Sequence, residues 1–153
     1  MTRLAVDAGV DSLAHTPFTE RVDDDLVARA VAIGQRWIST LFVNGYGEAS
    51  SDFDRAVDNL GRFRAAGGRV LYGTDLGNGD QPLGVNPAEL AGLTAAGLDA
   101  PDLLDAITDP WPSHDRVPGI STFVPGPPPA VLDTLPAWLA SARIVPAEDL
   151  EAL

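Results

Sequence analysis

The chain has 153 residues with 45% hydrophobic content, enough for one domain with a real core, and a formal net charge of -12 from 22 acidic against 10 basic residues. That charge repels nucleic acid and anionic membrane surfaces, so neither is expected as a partner. The sequence contains no cysteine and no lysine, which excludes disulfides, thiolate zinc sites, cysteine nucleophiles, a Schiff-base lysine and a lysine bridging two metals.

In chain order, residues 2 to 8 read as the tail of a helix closed by Gly9, and Val10 to Ala14 as a short strand ending in His15-Thr16-Pro17-Phe18. Asp23 to Gly34 carries Leu26, Val27, Ala30, Val31 and Ile33 at helical spacing, with Asp23 or Asp24 as N-cap. The run Asp23-Asp24-Asp25 is best explained by capping and by favourable interaction with the helix dipole. Trp37 to Phe42 forms a second strand. Phe53, Val57, Leu60 and Phe63 then place a helix over Ser51 to Ala66, which Gly67-Gly68 ends.

Arg69-Val70-Leu71-Tyr72 is a third strand, and Gly73-Thr74-Asp75 delivers a carboxylate from its C-terminal end into a glycine-rich loop. Alternation of strand and helix predicts a parallel β/α arrangement, and such folds carry their chemistry at that end of the strands. Asn86-Pro87-Ala88-Glu89 opens a further helix closed by Gly97, and Asp99-Ala100-Pro101-Asp102 opens another that runs to about Thr108. From Asp109 the chain is proline-rich, with strands expected at 119–124 and 142–145 and a helical turn within 130–139. Trp37, Trp111 and Trp138 read as packing residues, and His114 and Asp115 as solvated loop residues. No apolar run has the length of a membrane span and the N-terminus lacks a signal-peptide core, so the cytoplasm is the expected location.

Three blocks carry a resemblance: Ala8-Gly9-Val10-Asp11-Ser12-Leu13-Ala14-His15, then Ala65-Ala66-Gly67-Gly68-Arg69-Val70-Leu71-Tyr72-Gly73-Thr74-Asp75, then Glu89 to Leu98. In order and spacing they resemble the C-terminal half of the amidohydrolase superfamily, in its imidazolonepropionase-like or prolidase-like branch. The resemblance implies an α/β fold that is part of a (β/α)8 TIM-type barrel, with strands six, seven and eight over residues 1–108. Residues 109–153 would be a Pro-rich tail left from the small β-domain that follows the barrel.

By the same resemblance His15 and Asp75 are metal ligands, and Asp75 is also the catalytic residue that handles the proton of the attacking water. Glu89 and Thr108 fall at commonly shared helix positions without an implied role. The implied cofactor is a divalent metal, zinc first, and the implied activity is hydrolysis of carbon-nitrogen bonds in a small-molecule amide-type substrate. The chain would start inside the fifth helix of the barrel, so the family's His-x-His pair, bridging residue and fifth-strand histidine have no counterpart here. His114 matches no ligand position. Completion by a second copy or by a complementing half-barrel chain is therefore expected. The alternative is a non-catalytic half-barrel that self-associates through its open sheet edges.

Overall fold

Three short strands lie side by side in chain order and all run parallel: β1 (Ser12–Leu13), β2 (Arg36–Ile38) and β3 (Arg69–Leu71). Leu13 sits opposite Trp37, and Trp37 opposite Val70. This computed structural model describes residues 1–110 and 118–152. Trp111, His114 and Asp115 lie outside the described residues.

The crossovers are the helices expected from the apolar periodicity. Helix α1 (Thr2–Asp7) precedes β1, α2 (Asp24–Ala32) joins β1 to β2, and α3 (Ser51–Ala65) joins β2 to β3. Ser50 caps α3 by accepting the Asp52 and Phe53 N–H groups, while Asp52 and Asp54 in its first turn and Arg62 and Arg64 in its last complement the dipole. Asp23 occupies the N-cap position of α2, but its side chain bonds Arg3 instead of the helix. Asp24 pairs with Arg62, which holds its carboxyl below the usual range. The acidic run thus makes ion pairs as well as a favourable first turn.

Beyond β3 come α4 (Pro87–Ala95) and α5 (Ala100–Thr108), the latter opened by a capping box between Asp99 and Asp102. In the tail, β4 (Ile120–Phe123) and β5 (Arg143–Pro146) pair antiparallel, with α6 (Leu135–Ala140) between them. Leu135 and Leu139 of α6 join one buried cluster with Leu26 and Val27 of α2, Leu60 and Phe63 of α3, Leu90 and Leu93 of α4 and Leu103 of α5. Trp37 is fully buried at its centre, as its reading as a packing residue requires. Trp138 is partly buried against the same cluster and donates its indole N–H to Pro125 O at 2.9 Å.

Two strands are shorter than their β-branched and aromatic runs suggest. The run from Trp37 to Phe42 pairs regularly only to Ile38. Ser39 and Thr40 still donate their N–H groups to Leu71 O (2.9 Å) and Gly73 O (3.0 Å), but Thr40 then turns into the left-handed region at φ 45. Leu41 enters the core and Phe42–Asn44 coils into a 3-10 turn. The run from Val10 to Ala14 pairs only at Ser12–Leu13, and ahead of it the Val10 carbonyl accepts from the Gln35 side chain at 3.1 Å. The fold is mixed α/β with a three-stranded parallel sheet and a two-stranded sheet; the described residues close no barrel.

The two margins of the parallel sheet differ. On the β3 side, the Tyr72 N–H donates to Ala106 O of α5 at 3.0 Å. Beside β1, an apolar groove runs between α1 and the strand, lined by Met1, Leu4, Ala5, Val10, Leu13 and Phe18. Met1 and Leu4 are 97% and 67% exposed there.

Candidate functional site

The C-terminal ends of the three strands carry His15, Ser39 with Thr40, and Gly73 through Asp75. His15 reaches this mouth because the ladder continues past β1: the Thr16 N–H donates to Ser39 O and its hydroxyl to Ile38 O, both at 3.4 Å. The loop that follows is fastened from α3. Asn59, fully buried, donates to Pro17 O and Glu20 O and accepts the Val22 N–H, all at 2.9 Å. Arg55 donates to Phe18 O at 2.6 Å, and Arg62 to Val22 O. These bonds satisfy backbone groups that a loop packed this closely would otherwise leave unpaired.

His15 itself is exposed. Its Nδ1 lies 3.0 Å from Thr40 Oγ1, so β1 and β2 are joined at the mouth by a side-chain hydrogen bond. Nε2 has no partner among the described residues.

Asp75 is half-buried and left-handed, at φ 55. Asn78 donates to its Oδ2 at 3.0 Å, and Gln81 to its backbone carbonyl at 3.1 Å. Oδ1 has no partner among the described residues. Tyr46, from the loop after β2, donates its hydroxyl to Asn78 Oδ1 at 3.0 Å and so ties the two loops together. Gly73 lets β3 pass close to β2, because a Cβ at that position would overlap Ile38 Cγ2.

Glu89 lies directly behind the mouth. It occupies the first turn of α4, after Asn86, whose side chain accepts the Ala88 N–H at 2.9 Å. Its carboxylate is fully buried and accepts the Leu41 N–H on Oε1 (2.9 Å) and the Phe42 N–H on Oε2 (2.7 Å). Burial pushes this carboxyl above its ordinary range, while the Ser39 hydroxyl and the two N–H groups pull it back. In sequence Glu89 looks like an ordinary acidic residue of a helix start. Its burial depends on α4 docking against the turn after β2, and nothing local signals that. The pairing of Thr40 with His15 is equally silent.

His15 and Asp75 thus follow the ends of β1 and β3, and Thr40 lies just past the end of β2, but no hydrogen bond or ion pair joins His15 to Asp75 among the described residues. Nε2 of one and Oδ1 of the other are donors that a divalent cation accepts. A catalytic zinc takes three protein ligands, and no group of three or more His, Cys, Asp or Glu able to hold a metal occurs among the described residues. Nor is any helix there long and apolar enough to cross a membrane. No family model matches the chain, and no curated protein or solved structure matches it.

Proposed function

We propose that this chain is one part of a cytoplasmic, metal-dependent amidohydrolase that cleaves carbon-nitrogen or related ester bonds in small molecules. The observation that carries the reading is that His15 and Asp75 follow the C-terminal ends of β1 and β3 in a parallel sheet, with Thr40, just past the end of β2, bonded to His15. Three parallel strands in chain order, with helical crossovers between them, are what three consecutive units of a β/α barrel supply. Of the blocks that resemble the amidohydrolase superfamily, the first contains β1, the second contains β3 and the third lies largely on α4.

In this reading His15 Nε2 and Asp75 are two of the ligands of a divalent ion, zinc first, and a second copy or a complementing chain adds the others. When bound, the metal polarises the substrate carbonyl and acidifies a water. Asp75 takes the proton of the attacking water on its carboxylate and returns it to the leaving nitrogen. The Asn78 bond to Oδ2 holds that carboxylate in one orientation, and the bond between the Tyr46 hydroxyl and Asn78 keeps the holder in place.

Zinc content of the purified protein, together with turnover of a panel of cyclic amides, dipeptides and esters, tests the reading. Stoichiometric zinc with turnover that disappears in Asp75→Asn is the expected result. A second reading, a non-catalytic module that self-associates, is favoured by the apolar groove along β1. A stable dimer without zinc and without turnover would establish it in place of the first.

A further inference from the structure

We infer that the free edge of β1 and the apolar groove between that strand and α1 form one docking slot, which receives an extended segment of another protein, apolar at alternate positions and basic at its ends. The inference goes beyond the hydrolase reading and stands without a metal.

The edge is chemically unfinished. The Arg36 N–H donates to Asp11 O at 2.9 Å, and Ser12 and Leu13 lie opposite Arg36 and Trp37. In a parallel ladder with that register Leu13 turns its N–H and carbonyl toward β2, while Ser12 and Ala14 turn theirs outward. Neither Ser12 nor Ala14 makes a hydrogen bond outside the ladder among the described residues. Donors and acceptors repeated at every second residue are the row that an added strand pairs with. On the opposite margin the Tyr72 N–H is already bonded to Ala106 O, so the slot belongs to β1 alone in this sheet.

The surroundings define what the added strand carries. Helix α1 is fastened beside α2 by the Arg3–Asp23 and Arg29–Asp7 ion pairs, and Met1, Leu4 and Ala5 line the groove together with Leu13. Every second side chain of an extended segment points to one side, so those facing α1 meet apolar surface. Asp11 precedes the edge and Glu20 closes the groove beyond it; both are exposed, and no ion pair engages either carboxylate among the described residues. With a net charge of -12 on the whole chain, electrostatics favours a segment with basic ends over a second, equally acidic copy.

The probe is the peptide acetyl-KVTVTVK-amide, added to 15N-labelled, metal-free protein at low salt and followed by 1H–15N correlation spectra and amide exchange. The Ser12 and Ala14 amide signals are expected to move saturably and to exchange more slowly with peptide bound. The same peptide N-methylated at its interior amides keeps its charges and side chains but cannot pair, and should leave both signals in place. Leu4→Gln, at a position 67% exposed in the free protein, should keep the folded spectrum and weaken binding about tenfold. Signals of Ser12 and Ala14 that stay fixed at millimolar peptide overturn the inference. Equal binding of the methylated peptide also overturns it, because adsorption on apolar surface would then suffice. Protection of the two amides that grows with protein concentration in the absence of peptide overturns the choice of partner and assigns the edge to a second copy.

Discussion

Trp37 and Phe63 stack face to face, with ring centroids 4.1 Å apart and planes 2° from parallel. The pair binds β2 to α3 at the centre of the core, and the Trp37 indole N–H is satisfied by Gln35 Oε1 at 3.0 Å. A buried tryptophan without such a partner would carry the cost of an unpaired donor. The stack also dictates a glycine at position 68, just before β3, because a Cβ there would run into the Phe63 ring. Gly68→Ala should therefore destabilise the protein by about 1–3 kcal/mol through overpacking. Urea unfolding monitored by tryptophan fluorescence measures this, and an unchanged midpoint would mean that the stack yields freely.

Asn59 fills three hydrogen-bonding roles for one loop. Asn59→Ala leaves the Val22 N–H without its acceptor and two carbonyls without donors, at a cost of about 1–3 kcal/mol. Hydrogen exchange should show the loss concentrated in residues 17–22, with α3 itself still protected. Uniform loss across the molecule would contradict a loop-specific role.

Glu89 gives stability a pH dependence opposite in sign to that of Asp102, whose carboxyl is held low chiefly by Arg64. Because burial raises the folded-state value of Glu89, the folded protein binds that proton more readily than the unfolded chain. Its stabilising contribution is complete below the ordinary glutamate value of about 4.3 and declines as pH rises through the raised folded value. Glu89→Gln lacks this titration and loses an acceptor for one N–H. The urea midpoints of wild type and variant should be furthest apart on the acid side and converge as pH increases, and a gap that widens with pH would reverse the assignment.

Asp75 stands in the left-handed region, which asparagine tolerates well and alanine poorly. Asp75→Asn should leave thermal stability within about 0.5 kcal/mol of wild type, whereas Asp75→Ala should cost about 1–2 kcal/mol. Calorimetry distinguishes them. Equal losses would show that the carboxylate charge, and not the backbone, sets the contribution of the position to stability.

What could be read from the sequence was local. The Asn86-Pro87 helix start, the Asp99 and Asp102 pair and the Gly67-Gly68 stop each depend on neighbours a few residues away, and each appears as expected. The strand-to-loop placement of Asp75 follows from the same kind of signal. The course of the chain after Ile38 could not be read, because the turn at Thr40 depends on a carboxylate from a helix that begins at Pro87. The capping reading of Asp23 was incomplete for a similar reason: Arg3, whose partner it becomes, lies on another helix.

The bonds between Glu89 and the turn after β2 also make α4 part of the sheet's mouth. The Leu41 and Phe42 N–H groups end on a residue 48 and 47 positions further on, so the turn is complete only where α4 docks. A change that loosens α4, far from His15 and Asp75 in the chain, would therefore be felt at the turn that carries Thr40 as well as in the core.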